Sequence, residues 1–496
     1  MRTDFIQESP EFGKAVFILL SLLALAGIGG LSALSPGLGV AGALALGAAF
    51  FIALSLSRLP RLFLQSMVVI LTGYAFFGKG FAYLGVPPLY IGEAVLVVGM
   101  LALVVTASKI RLGVLHFLVF VFMGWGALCT IPYISREGLY AIRDAALWYY
   151  ALFAIAISLM VKPRHFRWIV STYRTLVPLF LCWVPIAAIA YLLYKTSIPT
   201  LPGSDVQVLW FKGGDMAVHL AGVASFLLLG LYSALPAPRM ISITLLWPIW
   251  FAGIAIVSTL NRAGMLASGI AIGVVLILRP SIQWVRFLAL AMLLMTILGI
   301  LNPQVNIGRE RQVSLGQLVS NARSIVGSDD ASDGQTVHSS LEGTKGWRLK
   351  WWKKIYSYTF HGPYFWTGKG FGMNLAHADG FETIQNDPLR SPHSAHMTVL
   401  ARMGVPGLVL WVALQGAFAA GLFFAFVRAR QRGLVFWAQV DVWILVYWLA
   451  MMANAAFDVY LEGPQGGIWF WSIFGLGLAA LRAQREESVH ANTARP

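Results

Sequence analysis

Apolar runs of about twenty residues recur along almost the whole chain, and they constrain its fold more than any other feature. Residues 15–34, 114–131 and 169–194 each approach or exceed the ~20 residues that a helix needs to cross a hydrocarbon layer roughly 30 Å thick. A backbone in lipid must satisfy its own hydrogen bonds, which leaves helices and closed barrels. Barrel strands are alternating segments of about ten residues, far shorter than these runs, so the chain is expected to be an all-α polytopic membrane protein. Composition agrees: 58% of the 496 residues are hydrophobic and 11% are charged, against about 25% charged in soluble domains. The apolar excess also excludes a disordered chain. The two cysteines, Cys129 and Cys182, both lie inside apolar runs and read as small core residues rather than a disulfide scaffold.

Hydropathy windows give about 14 transmembrane helices. Helices 1–11 fall in residues 1–301, a long loop in 302–404, helices 12–14 in 405–481 and a tail in 482–496. The segment before residue 15 carries both charge signs and the run 15–34 exceeds a cleavable signal core, so it reads as a retained first span. Loops on the side of the N-terminus hold more than half of the 36 Lys and Arg residues and few of the 21 acidic ones. The positive-inside rule therefore puts both termini in the cytoplasm and the long loop on the outer face. In this setting the net charge of +15 reports topology and anionic lipid, and no nucleic-acid partner is expected.

A loop of that length is usually functional or unstructured, and several chemically suggestive stretches lie in it. Residues 327–343 are polar, and Asp329, Asp330 and Asp333 lack the alternating ligand spacing of an EF-hand loop, so they read as a solvated turn. Further on, helical spacing puts Trp347, Trp351, Ile355 and Tyr358 on one face and Lys350, Lys353 and Ser357 on another, the pattern of an interfacial amphipathic helix with snorkelling lysines. Arg348 and Trp352 share a third face, directed toward the bundle, and a guanidinium fork suits a phosphate better than an ammonium does. Three alternate glycines, Gly368, Gly370 and Gly372, read as close backbone approach or a tight turn, or alternatively as a phosphate cradle with Lys369.

Ser391 and Pro392 read as N-cap and first helical residue, which puts His393 in the first turn of a helix. There the helix dipole favours the neutral imidazole and attracts anions, so His393 is a candidate base beside a bound phosphate; the other reading is a histidine capped at a membrane surface. One turn on, His396 faces the same cleft or packs beneath it, and Arg390 meets an anionic substrate or solvent. Outside the loop, Asn261 and Arg262 sit between two apolar helices. An arginine kept there calls for a charged partner or substrate, or snorkels to lipid phosphates.

These pieces together resemble the O-antigen ligase and polymerase family of bacterial envelope glycosyltransferases. The likeness rests on Ser258-x-x-x-Arg262-x-Gly264, on the segment from Arg348 to Trp352, on Gly368-Lys369-Gly370-Phe371-Gly372, and on His393 followed by Leu400, Gly404 and Gly407. It covers the topology loosely and residues 255–425 specifically. Ser394 replaces the family's usual asparagine after the histidine, and Arg402 stands where an acidic residue is common. The resemblance implies a GT-C-like variant of a multispanning fold in the bacterial inner membrane, with short helices in a large periplasmic loop. It also implies an undecaprenyl-diphosphate-linked glycan as donor, an acceptor glycan or lipid A core, and inverting, metal-independent transfer without a cofactor. In that reading His393 is the catalytic base, while Arg262, Arg348, Lys369 and Arg390 bind the pyrophosphate. His396 and Asn261 are secondary candidates. The chain has no Asp-x-Asp motif, so no metal ligands are expected. Polymerase and ligase both fit, and fourteen spans lean toward the polymerase, for which a chain-length regulator would be a partner. The competing class is a transporter or flippase for a lipid-linked oligosaccharide, whose inverted repeats should appear as internal symmetry; none is visible.

Overall fold

In the computed structural model the described residues are 58–86, 89–106, 112–202, 204–235, 241–279, 283–301, 305–306, 312–326, 335–381 and 389–493. The first two expected spans, at 15–34 and 37–56, and the acidic cluster Asp329, Asp330 and Asp333 lie outside them. The chain divides into two compact units, residues 1–67 with 95–111, and residues 68–94 with 112–496. In the first unit Gly99 packs against Phe63 so closely that a Cβ would meet its ring at 2.6 Å. The second unit carries the residues of functional interest.

The helices are α1 Leu59–Phe77, α2 Ile91–Thr106, α3 Val114–Glu137, α4 Leu139–Tyr149, α5 Ala151–Met160, α6 Pro163–Tyr194, α7 Gly213–Leu228, α8 Ile243–Leu260, α9 Arg262–Leu278 and α10 Gln283–Leu301. They continue with α11 Leu315–Val326, α12 Gln335–Phe360, α13 Leu375–Asp379, α14 Ala395–Gln431, α15 Val435–Ala455 and α16 Pro464–Thr493. Beside these lie single helical turns at Lys79–Ala82, Lys195–Ser197 and Leu231–Ser233 and two short antiparallel hairpins, Gly85–Val86 with Leu89–Tyr90 and Val305–Asn306 with Gln312–Val313.

The protein is a helical, multi-pass membrane protein. Each of the twelve apolar stretches expected from residue 62 onward is occupied by helix. Among the described residues, however, only seven helices are long and apolar enough to cross a membrane: α1, α3, α6, α8, α14, α15 and α16. The number rises to eight if α4 and α5, bent by 42° at their junction, form one broken span, while α2, α7 and α9 are shorter apolar helices. The expectation of fourteen spans came from windows that measure hydropathy. They do not register that α7 stops at Leu228, after 16 residues, or that α9 begins at Arg262 directly after the end of α8 and runs for 17.

In the second unit α7, α9 and α15 pack on one another, α16 lies along α5, and α14 lies between α3 and α15. Small residues set the close crossings, as is usual where lipid supplies no hydrophobic drive between helices. A Cβ on Gly264 of α9 would meet Ala217 of α7 at 2.5 Å, and Ser268 on α9 donates to the Ala217 carbonyl at 3.1 Å.

Candidate active site

The turn between α8 and α9 is built by two asparagines. Asn261 caps α9, its side chain accepting from the Gly264 amide at 2.8 Å, which fixes Arg262 as the first helical residue. Asn321 of α11 covers the other side, donating to the carbonyls of Ser258 and Thr259 at 2.8 and 3.3 Å and so satisfying groups that the end of α8 leaves open. A side chain on Gly214 of α7 would meet Asn454 Oδ1 at 2.8 Å and Asn261 Nδ2 at 3.1 Å, so this glycine lets the ends of α7, α9 and α15 converge.

Against that convergence α12 presents Arg348. Its Trp351 and Ile355 are fully buried with Leu375, Ala376, Leu400 and Ala401, with Trp347 and Tyr358 packed beside them. The aromatic face foreseen for this helix is therefore real, but it covers protein rather than lying in the membrane interface; Lys350, Lys353 and Ser357 are exposed, as expected. On the third face Trp352 donates to the Pro392 carbonyl at 2.9 Å and Arg348 donates to the Phe457 carbonyl at 3.2 Å.

His393 lies in the segment that Trp352 holds. Ser394, not Ser391, is the N-cap of α14, accepting from the Met397 amide, so His393 precedes the helix instead of occupying its first turn. Its φ of 51° is a left-handed conformation that costs a non-glycine residue about 1–2 kcal/mol, and its ring stands 6.3 Å from that of Trp347. Burial holds the imidazole pKa below the ordinary 6.5, helped by the positive charges of Arg348 and Lys212 and opposed by Asp458. Burial likewise lowers the Arg348 pKa, with Asp458 opposing and Arg262 assisting. Arg262, Arg348 and His393, far apart in sequence, thus share one electrostatic neighbourhood.

Sequence reasoning missed the residues that complete it. Lys212 lies 2.6 Å from Asp458 Oδ2 and 3.7 Å from Asp215 Oδ1. Burial disfavours its charge, but the two carboxylates outweigh burial and push its pKa above the ordinary lysine value. Among the described residues, both amide atoms of Asn454, the Tyr460 hydroxyl and Arg348 Nε are buried without a hydrogen-bonding partner. So many unmet polar groups at one place mark a site shaped for something polar rather than a packed core. The available signal was that Lys212, Asp215 and Asp458 flank apolar runs on the same side as Arg262, where charge is costly.

Other expected site residues are engaged elsewhere. Lys369 is buried, with Nζ 2.5 Å from Asp379 Oδ1 and 4.5 Å from the centre of the Tyr358 ring. Arg390 binds Asp144 at 3.2 Å and the Gly372 carbonyl at 2.6 Å. The Asp144 carboxylate also receives Arg402 at 2.9 Å and Arg143 at 2.9 Å. His396 accepts at Nδ1 from Trp411, so its Nε2 carries the proton and donates to the Met452 carbonyl at 3.2 Å; it packs α14 against α15. Neither Lys369, Arg390 nor His396 is brought to the Arg262, Arg348 and His393 group by these contacts.

The glycine-rich stretch has a structural task. Within α14, Gly404 has φ 67° and ψ −169°, which breaks the helix. The Ala401, Arg402 and Met403 carbonyls released there accept from the Lys369 amide (2.7 Å), the Gly370 amide (3.2 Å) and the Trp125 indole (2.9 Å). Val405 N in turn donates to the Phe365 carbonyl at 2.8 Å. Gly368, Gly370 and Gly372 all have positive φ, and a Cβ on Gly368 would meet the Ala401 carbonyl at 2.5 Å. Close backbone approach is thus the reading that the geometry supports.

The cluster gathers two guanidinium groups and an imidazole whose pKa burial lowers. Among the described residues no three His, Cys, Asp or Glu side chains converge in a way that would hold a metal ion. Residues 247–412 match a protein family described as O-antigen ligase. No curated protein matches the chain.

Proposed function

We propose, from the match of residues 247–412 to a family described as O-antigen ligase, that the chain is a glycosyltransferase of the O-antigen ligase and polymerase type, which transfers a glycan from undecaprenyl diphosphate to an acceptor hydroxyl at the periplasmic face of the inner membrane. One observation supports the reading: Arg348 interacts electrostatically with both Arg262 and His393, which come from separate stretches of the chain, and its Nε is buried without a hydrogen-bonding partner. In a GT-C-like arrangement of this kind His393, kept neutral by burial and by its cationic neighbours, removes the acceptor proton as the new glycosidic bond forms with inversion. Arg262 and Arg348 stabilise the charge that develops on the departing pyrophosphate, a role that arginines fill without a metal ion. Lys212 is balanced by Asp215 and Asp458 and leaves the positive field to the two arginines. Arg390 and Lys369 shape the loop instead of touching the donor.

The test is the length distribution of lipid-linked and surface glycan in a deletion strain complemented with wild type or His393→Ala. Accumulation of single repeat units in both the deletion and the variant supports a polymerase, in which a chain-length regulator becomes a partner. Accumulation of full-length glycan still on its carrier supports a ligase, with lipid A core as acceptor. A His393→Ala strain indistinguishable from wild type removes His393 from the chemistry.

A further inference from the structure

The left-handed backbone of His393 is a conformation that persists in a non-glycine residue only where the surroundings hold it. The bond from Trp352 to the Pro392 carbonyl and the Ser394 cap hold it from one side. The turn between α15 and α16 supplies another hold, because its Glu462 accepts from the Thr398 hydroxyl at 2.8 Å. We propose that Glu462 is a positioning residue for His393: by gripping the first turn of α14 through Thr398, it fixes where the imidazole stands beside Arg348 and Asp458. The inference rests on the reading of His393 as the base that takes the acceptor proton.

Three observations favour a brace over incidental packing. Thr398 is fully buried and its backbone amide already donates to the Ser394 carbonyl at 2.9 Å. Its hydroxyl, although 3.0 Å from the same carbonyl, is therefore left for Glu462. Ser391, on the other side of His393 in sequence, is buried as well. Burial raises the Glu462 pKa above the ordinary carboxyl value, with Asp144 assisting, while Arg402 and hydrogen bonding from Thr398 and Ser391 oppose the rise. Hydroxyls on both flanks of His393 thus act on one carboxyl. That carboxyl also stands on a firm support: Tyr460 and Leu461 before it are buried, and Pro464 opens α16. Asp458 of the same turn is bound to Lys212 and opposes the lowering of the His393 pKa, so one short turn sets both the place and the charge environment of the imidazole.

Modification of His393 by diethyl pyrocarbonate, read by peptide mass spectrometry on the purified full chain at pH 7 with the exposed His361 as internal standard, tests the brace without any substrate. In E462A the His393 rate should rise about threefold or more relative to His361, as a locally loosened segment uncovers its side chain. E462Q keeps an acceptor oxygen for Thr398 and should stay near wild type. Turnover at saturating donor should fall about 10²-fold in E462A with KM little changed, the scale of a misplaced reacting group, and E462Q should restore most of it. Size-exclusion profiles check folding, and T398V, which removes only the hydroxyl, should show the same change in smaller measure if E462A aggregates. Wild-type His393 reactivity in E462A and T398V, or an E462Q rate as high as that of E462A, overturns the proposal. A raised His393 rate together with undiminished turnover in both E462A and His393→Ala keeps the brace and removes His393 from the chemistry, so the two readings fail separately.

Discussion

At the residue scale the chemistry turns on how His393 is kept neutral. Burial is the main cause and Arg348 the next, so the sign of the pH dependence follows: activity that needs the neutral imidazole should persist below pH 6.5 and fall only at more acid values. Replacing Arg348 with Gln removes a repulsive charge and lets the imidazole pKa rise, so the acid limb of the pH profile should move upward along with any loss of rate. A pH profile of transfer by wild type and Arg348→Gln in detergent checks both statements, and an unmoved limb would separate Arg348 from His393. Arg262→Ala should lower turnover by about 10²-fold or more, the scale of losing one charge-stabilising group, with the thermal midpoint of the purified protein little changed.

The same scale shows what the sequence could and could not disclose. Arg262 stands out in the sequence because an arginine between apolar helices demands a reason, and Arg348 because it shares a face with Trp352 apart from the lysines. Lys212 and Asp458 were hidden because a charge at the edge of an apolar run looks like ordinary flanking sequence until a structure sets them 2.6 Å apart. The frame of His393 was misread because Ser391 and Ser394 both suit a cap. Pro392 favoured the first, and the bond from Trp352 to the Pro392 carbonyl, formed across forty residues, belongs with the second.

At the scale of elements, the Asp144 carboxylate joins α4 to the loop and to α14 through Arg143, Arg390 and Arg402. Arg402 is 2% exposed, so Asp144→Ala leaves a buried charge uncompensated and should cost about 3–5 kcal/mol; thermal unfolding in detergent would read it. Gly404→Ala should destabilise by at least 1–2 kcal/mol from its positive φ alone, and more because the new methyl would run into the Phe365 carbonyl, measured in the same way. The amphipathic pattern of α12 was legible as a period of apolar side chains, but what that face covers was not. A tryptophan row reads alike whether it meets lipid or, as here, Leu375 and Leu400.

At the scale of the whole molecule, hydropathy gave the class of fold and the location of the apolar helices among the described residues, of which seven or eight are long enough to cross a membrane, since short helices such as α7 and α9 carry the same signal as full spans. If two arginines take the place of a metal ion, transfer activity of the purified protein should survive exhaustive dialysis against EDTA. Loss of activity that magnesium or manganese restores would assign the leaving-group role to a cation.

The break at Gly404 also bears on how the molecule breathes. The Lys369 and Gly370 amides belong to an irregular loop, yet their bonds end on carbonyls of α14, so neither can open without disturbing a helix that continues into the bilayer. Their hydrogen–deuterium exchange should accordingly be slow and matched to that of residues 401–405, so that loop and helix behave as a single cooperative unit of local unfolding.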